Sequence, residues 1–206
     1  MSIRLLLAAL LAATLVACSS TPKDDEQNQT AKTPDLDLSK EFPEPSNPLV
    51  KARLEKRITD IRYQRGVTLV ANLERIAGYG DVAIPFAMDG LKSEDPMTRM
   101  GCAWVLGRVG NTAAIPALED ALNDPVPYVR YEVASQIGVL GGKGGYKTLV
   151  QGLTDERVEM RFKCFEALQE LTGNTFGYSH TAAPEVRKVA VEQWEAWVER
   201  VDTEDM

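Results

Sequence analysis

The chain has 206 residues, of which 44% are hydrophobic, so it can form one domain with a core plus flanking segments. Its formal net charge is −7 and its pI is about 4.9, which argues against nucleic acids and other polyanions as partners, because these need a basic surface.

The N-terminus is predicted to be a secretory signal sequence. Arg4 precedes an apolar run over residues 5–16, shorter than the roughly 20 residues that span a bilayer. The run ends in Leu15-Val16-Ala17-Cys18, which resembles the lipobox of bacterial lipoproteins. The resemblance implies cleavage before Cys18, a diacylglycerol and an N-acyl lipid such as palmitate on that cysteine, and, because Ser19 follows, the outer membrane facing the periplasm. An ordinary signal peptide cut near a cysteine and an uncleaved anchor are the alternatives.

The segment after the lipobox is predicted to be a flexible tether. Residues 19–48 are mostly polar and cannot bury enough apolar surface to offset their ordering entropy. Leu36, Leu38 and Phe42 are possible contact points, although isolated apolar residues in such a segment are more often solvated.

The remainder is predicted to be all-helical. Apolar side chains recur at helical spacing, glycines and prolines separate the segments, and no stretch shows the period-two alternation of a strand. The predicted helices begin near residue 49 and continue over 67–77, 81–91, 96–109, 112–122, 126–140, 145–153, 157–171 and 184–201.

Much of this helical region repeats every 31 residues. Arg99, Arg130 and Arg161 keep that spacing, as do many apolar and glycine positions around them. A fixed period indicates stacked supersecondary units, which usually form a binding surface. The sequence from Asp124 to Gly138, with its Asp…Val-Arg…Ala…Ile-Gly spacing, resembles the short HEAT repeats of bacterial phycobilisome lyases. The resemblance implies a right-handed α-solenoid of stacked antiparallel helix pairs.

The predicted organisation follows from these patterns. It comprises a signal peptide (1–17), a lipidated cysteine with a disordered tether (18–48), a degenerate N-terminal hairpin (49–80), HEAT-like repeats (81–171) and a C-terminal loop with a capping helix (172–206). The cap is predicted from Pro184, Trp194 and Trp197 at helical spacing. The alternative is a ligand pocket that these tryptophans form with Phe176, Tyr178 and His180.

The polar positions that recur from repeat to repeat are predicted to be structural. Asp124 and Asp155 precede helices, where a carboxylate caps free backbone N–H groups. The family resemblance implies that Arg130 and Arg161 each reach the Asp of a neighbouring repeat and form a ladder. An anion site along the arginine row is the alternative.

Two cysteines share one core position of the repeat. Cys102 and Cys164 are two periods apart, so about 20 Å should separate them if neighbouring helices pack 8–10 Å apart. A disulfide needs Cα atoms within about 7 Å. Both thiols are therefore predicted to be free and buried, without a catalytic or metal-binding role.

One row of side chains is predicted to bind a partner. In short HEAT repeats the residue after the repeated arginine, and the residue four positions further on, tend to line the concave side. Here the first position holds Met100, Tyr131 and Phe162, and the second holds Trp104, Ser135 and Glu166. Of these, Met100, Trp104, Tyr131 and Phe162 are the predicted partner-binding residues. Aromatic and methionine side chains on such a surface are typical of recognition sites. The alternative is that they fill gaps between helices.

No catalytic constellation, metal-ligand spacing or phosphate loop is visible, and His180 is the only histidine. The sequence therefore predicts a protein that is not an enzyme, with no metal and no cofactor beyond its covalent lipid. Its predicted role is that of a periplasmic scaffold of the bacterial cell envelope, held to the membrane by its lipid and binding an envelope protein. The alternative is a lyase-like or chaperone-like protein that handles a small ligand or chromophore, and a third possibility is a purely structural role.

Overall fold

The computed structural model describes residues 42–43 and 45–203 of the chain. Within these residues all regular structure is helical. The helices are α1 (Pro48–Asp60), α2 (Gly66–Ala77), α3 (Ile84–Gly90), α4 (Pro96–Val109), α5 (Ile115–Asp120), α6 (Pro127–Val139), α7 (Tyr146–Gly152), α8 (Val158–Thr172) and α9 (Pro184–Thr203). Short 3-10 turns over Ile61–Tyr63, Gly80–Ala83, Thr112–Ala114 and Ala121–Asn123 connect some of them. Each predicted helix is present.

Local sequence accounts for where the helices begin and end. Proline occupies the first position of α1, α4 and α6, where its missing N–H group costs no hydrogen bond. The side chain of Asp95 caps α4 by accepting from the Thr98 N–H at 2.8 Å. Gly110 and Gly173 end α4 and α8 in the left-handed conformation, at φ 83° and 73°, which glycine adopts without strain.

Asp124 and Asp155 lie two residues before the residues that occupy the N-cap positions of α6 and α8, so the prediction that they cap these helices is wrong. The residues before the first helical turns of α6 and α8 are Val126 and Arg157. Each Asp side chain instead accepts from the N–H two residues on, at 2.8 Å from Val126 and 2.9 Å from Arg157. The two carboxylates therefore close the turn that leads into the helix rather than cap the helix itself.

The helices form the layers of an α-solenoid. Helix α3 pairs with α4, α5 with α6, and α7 with α8, while the second helices of successive pairs pack side by side in the order α2, α4, α6, α8. Helix α9 packs against α7 and covers the last layer. The fold predicted from the repeat is confirmed.

Positions that repeat every 31 residues in the sequence occupy equivalent buried sites in successive layers. Leu106, Ile137 and Leu168 occupy the same position of three consecutive second helices, and all three are fully buried. Burying each of these side chains contributes about 1.5–3 kcal/mol. A shared apolar position in every layer is thus what makes the layers stack in one register.

The described part of the segment before α1 contacts the core. Phe42 is only 6% exposed and belongs to the core cluster of the first layers. The prediction that this residue is solvated is therefore wrong, and the chain already contacts the solenoid before α1 begins at residue 48. The signal peptide, Cys18 and the tether up to residue 41 lie outside the described residues. Among the helices that are described, none has the length and apolar composition needed to cross a bilayer.

Candidate functional site

The second helices α4, α6 and α8 form one continuous surface because their backbones approach closely. A Cβ atom at Gly107 would overlap the Gln136 side chain of α6, and one at Gly138 would overlap Leu171 of α8. The sides of the three helices that face away from the core therefore lie next to one another. We call this surface the inner face. By repeat register it contains Met100, Trp104, Arg108, Ser135, Val139, Phe162, Glu166 and Glu170, and Glu159 adjoins it one helical turn before Phe162 on α8.

A buried polar network joins two of these helices below the inner face. Glu132 of α6 is 5% exposed and accepts hydrogen bonds from Gln136 Nε2 at 2.6 Å and from Lys163 Nζ of α8 at 2.5 Å. Because both carboxylate oxygens are bound, the charge of Glu132 is compensated inside the protein. The network fixes the position of α8 relative to α6.

The predicted partner-binding row does not form one exposed stripe. Met100 and Trp104 are half-buried and pack against the core. Phe162 is 41% exposed and meets the His180 ring edge-on at a centroid distance of 4.8 Å. Tyr131 is 6% exposed, and its hydroxyl donates to Asp155 Oδ2 at 2.9 Å. Assigning Tyr131 to partner binding was wrong, because this side chain fills the space between two layers.

The predicted arginine ladder is present at one boundary between repeats. Arg99 binds both carboxylate oxygens of Asp124 in the next layer, at 2.5 Å and 2.9 Å. Arg130 does not reach Asp155; its NH1 donates to the Asp124 carbonyl at 2.7 Å. Its expected role in the ladder is therefore wrong.

Arg161 also departs from the ladder. It donates to the carbonyls of Asp155, Glu156 and His180, at 2.8 Å, 2.9 Å and 2.9 Å. In the part of the chain that the structure describes, a loop and α9 follow α8, and the His180 carbonyl of that loop takes the place that a neighbouring Asp would occupy. Arg161 thus holds the loop before α9 against the start of α8.

Asp155 has partners different from those of Asp124. It accepts from the Tyr131 hydroxyl and from the backbone and side chain of Arg157. Burial raises the pKa of the Asp155 carboxyl, but these hydrogen bonds outweigh burial and hold the pKa below its usual value. Burial first, and then the bond to Asp155, raise the pKa of Tyr131 to about 12, so the hydroxyl is a permanent donor at neutral pH.

The exposed side of α8 is acidic and aromatic. Glu159, Phe162 and Glu166 are spaced by three and four residues, so they share one side of the helix, and all three are exposed. Neither carboxylate has an ion-pair partner among the described residues. An exposed aromatic ring between two exposed carboxylates suits a positively charged group, because both the ring face and the carboxylates attract a cation.

The two cysteines of the helical region are free and buried, as predicted. Burial raises the pKa of Cys102 and of Cys164 to about 12, so neither is a thiolate nucleophile at neutral pH. Each thiol packs directly against a glycine, Cys102 against Gly90 and Cys164 against Gly152. The thiol occupies the space that a Cβ atom on that glycine would need.

The C-terminal aromatic residues pack on the last layer. Trp194 is fully buried and meets Phe176 and Trp197 edge-on, at centroid distances of 4.7 Å and 5.7 Å. The Tyr178 hydroxyl donates to the Leu153 carbonyl at 2.5 Å. The backbone of Phe176 is left-handed, with φ 43°. No other non-glycine residue in the described part of the chain has a positive φ. This packing agrees with a cover for the last repeat rather than with an open pocket.

Comparison with known proteins identifies the repeats. The family model for HEAT repeats matches residues 67–137, which supports the HEAT-like repeats in that part of the chain. A deoxyhypusine hydroxylase of Neurospora crassa is 29% identical over 184 residues, which covers 84% of this chain and 56% of that protein. A second deoxyhypusine hydroxylase, from Cryptococcus neoformans, is 33% identical over 89 residues, 41% of this chain and 25% of that protein. The chain thus spans about half, or less, of the length of the curated relatives it matches.

Among solved structures, human deoxyhypusine hydroxylase in complex with glycerol is similar to this chain. The identity is 24%, the match covers 67% of this chain and 51% of that one, and the TM-score is 0.40.

These relatives contradict the functional class predicted from the sequence. Both curated relatives are named as enzymes, so the prediction of a non-enzymatic scaffold is wrong, and the alternative of a protein that handles a small ligand agrees better with them. The assignment to the outer membrane and periplasm of a bacterium is contradicted as well, because both curated relatives are fungal proteins. These relatives give the bacterial lipoprotein class no support.

The prediction of no cofactor is also contradicted, because both curated relatives are named as hydroxylases, and hydroxylation is redox chemistry that proteins carry out with a metal or an organic cofactor. The described residues do not fit a metal centre. They contain no group of three or more His, Cys, Asp or Glu side chains placed to hold an ion. His180, the one histidine of the sequence, packs its ring on Phe162 instead.

Proposed function

We propose that the chain binds an amine-bearing ligand on its inner face, as part of an enzymatic system related to the deoxyhypusine hydroxylases. Deoxyhypusine, the substrate in the relatives' name, is a lysine side chain extended by an aminoalkyl group, and it is positively charged at neutral pH. The fitting partner is therefore a protein or peptide that carries such a side chain. The observation that carries the proposal is the exposed stripe of Glu159, Phe162 and Glu166 on α8.

Charge and shape both support a cationic ligand at this stripe. The chain has a formal net charge of −7, which raises the local concentration of cations. The carboxylates of Glu159 and Glu166 have no ion-pair partner among the described residues, so a ligand would not have to displace an internal arginine or lysine. Phe162, 41% exposed, offers ring surface between them.

The rest of the inner face can bind the part of the ligand peptide that flanks the amine-bearing side chain. Met100 and Trp104 of α4 are half-buried, so they offer partial apolar surface without moving. An extended segment crossing from α8 to α4 would place its charged side chain at Phe162 and its apolar atoms at Trp104. Met100, Trp104 and Phe162 remain the partner-binding residues that we propose.

A binding titration tests this proposal. A deoxyhypusine-containing peptide is expected to bind the full chain more tightly than the same peptide with an acetylated lysine, and binding should weaken with salt. The double variant Glu159→Gln/Glu166→Gln should weaken binding by about tenfold, since two exposed ion contacts are lost. The matched control Glu195→Gln/Glu199→Gln, on exposed positions of α9, should bind like the wild type. Equal affinity for the acetylated peptide would contradict the proposal.

A separate proposal concerns Cys18. The sequence Leu15-Val16-Ala17-Cys18 supports cleavage before Cys18, acylation of that cysteine and attachment of the chain to a membrane through the lipid. Intact mass measurement of the full-length product tests it. A mass increase from acyl groups that Cys18→Ser abolishes is the expected result, and an uncleaved or unmodified chain would contradict it.

A further inference from the structure

A cleft of about 360 Å³ lies on the opposite side of the solenoid from the second helices, between α1 and α3. Its walls are Pro45, Lys51, Glu55, Ile58, Thr59, Pro85, Phe86 and Asp89. The α1 residues recur at positions i, i+4, i+7 and i+8, so a single face of that helix lines the cleft. The volume is within the range of small-molecule sites, roughly 300–1,000 Å³.

The cleft is built by the folding of the segment before α1. Phe42 is buried in the core and anchors this segment, and Pro45 then closes one side of the cleft. The opposite wall is α3, where Pro85 and Phe86 are half-buried. The cleft is thus part of the folded layer and does not depend on the inner face.

The charged groups at the cleft are not paired with one another. Lys51 and Glu55 are one helical turn apart, yet no ion pair joins them, and neither has another ion-pair partner among the described residues. Asp89 has only a long, exposed contact with Lys92, at 3.9 Å, which holds it weakly. By contrast, Lys56, on another side of α1, is paired with Asp60 at 2.8 Å. One cationic and two anionic groups are therefore free to bind a ligand.

The apolar walls lie beside these charges. Phe86 and Ile58 face each other across the cleft as partly exposed apolar side chains that pack on the core. An apolar group of a ligand would bury surface here, while its charged groups would remain at the rim near Lys51, Glu55 and Asp89.

We propose that this cleft binds a free α-amino acid with an apolar side chain. The ammonium group would contact Glu55 and Asp89, the carboxylate would contact Lys51, and the side chain would pack on Phe86 and Ile58. A zwitterion uses both signs of charge present at the cleft, which a simple amine or a simple carboxylic acid does not. This site goes beyond the proposed amine-binding stripe, and the two share no residue.

Ligand-observed NMR and calorimetry on the full chain test the proposal. L-phenylalanine and L-leucine are expected to bind, while phenethylamine and phenylpropionate, which each lack one charge, should bind at least about fivefold more weakly. Glu55→Gln and Lys51→Met should each weaken binding of L-phenylalanine to a similar extent. Lys56→Met and Glu195→Gln, which change charges outside the cleft, should leave it unchanged.

Two results would overturn the proposal. One is the absence of amino-acid binding to the wild-type chain at millimolar concentration. The other is binding that Lys51→Met and Glu55→Gln do not alter, which would place the ligand elsewhere. Phenylalanine should also fail to compete with the deoxyhypusine peptide, so loss of either site is distinguishable from loss of the other.

Discussion

Arg99 and Asp124 join two neighbouring layers through a two-point ion pair, with Nε–Oδ2 and NH2–Oδ1 distances of 2.5 Å and 2.9 Å. The side chains are only 13% and 5% exposed. Arg99 also donates to the carbonyls of Ser93 and Glu94, so it ties the turn before its own helix to the next repeat. The same arginine position makes different contacts in the two following layers.

The first prediction concerns this ion pair and pH. Burial raises the pKa of the Asp124 carboxyl, but the bonds from Arg99 and from the Val126 N–H outweigh burial and lower it. A lowered carboxyl pKa stabilises the fold fully above the pKa of the unfolded chain, about 3.9, and that stabilisation is lost as the pH falls through the folded value. Asp124→Ala should lower the free energy of unfolding by about 3 kcal/mol at pH 7.

Urea denaturation at pH 7 and pH 3 checks this prediction. The stability difference between wild type and Asp124→Ala should shrink at the lower pH. Glu119→Ala, an exposed carboxylate on α5, serves as the control and should show little difference at either pH. A gap that stays constant with pH would contradict the assigned role of Asp124.

The second prediction concerns the glycines opposite the cysteines. An added methyl group at Gly90 or Gly152 would overlap the thiol of Cys102 or Cys164. We expect Gly90→Ala and Gly152→Ala each to lower the free energy of unfolding by about 1–3 kcal/mol, despite the better helix propensity of alanine. Gly144→Ala is the control, because its methyl group would meet only the mobile end of Glu119 at 3.1 Å. If all three variants were equally stable, the close packing of α3 on α4 and α7 on α8 would be disproved.

The third prediction is that the buried thiols resist alkylation. Burial raises the pKa of both Cys102 and Cys164 to about 12, so at pH 8 almost no thiolate is present and the sulfur atoms are inaccessible. In a Cys18→Ser background, iodoacetamide should modify neither residue in the native state and both in urea. Mass spectrometry measures the extent. Rapid modification of either thiol without denaturant is the contrary result.

The fourth prediction separates Tyr131 from Phe162. Tyr131→Phe removes a buried donor to the charged Asp155, so it should lower the free energy of unfolding by about 1.5–3 kcal/mol. Phe162→Leu, at an exposed position, should change stability by less than about 1 kcal/mol and should weaken binding of the amine-bearing peptide. Thermal unfolding and peptide titration of the two variants measure both effects. If Tyr131→Phe and Phe162→Leu had the same effects on stability and on peptide binding, the buried position of Tyr131 would be contradicted.

The periodic positions predicted the fold because they depend on local sequence. The bounds of α4, residues 96–109, follow directly from the capping Asp95, the first-position Pro96 and the glycine at 110. Stacking then follows from the shared buried position at 106, 137 and 168.

The repeat could not predict the roles of individual side chains, because the same register position has different neighbours in each layer. Tyr131 is buried between two layers, whereas Phe162, on α8, is 41% exposed and packs against the His180 ring. Arg130 loses its expected partner because Tyr131 and Arg157 already occupy Asp155. The cleft between α1 and α3 had no sequence signal, since its walls come from segments that only the folded layer brings together.

The most direct test of the central claim is a titration of the isotope-labelled full chain with the deoxyhypusine-containing peptide, followed by amide and indole chemical shifts. We predict the largest shifts at Glu159, Phe162 and Glu166, with a smaller shift of the Trp104 indole, and none of these with the acetylated control peptide. Shifts confined to other surfaces, or identical shifts with both peptides, would contradict the assignment of the inner face as a binding site for an amine-bearing side chain.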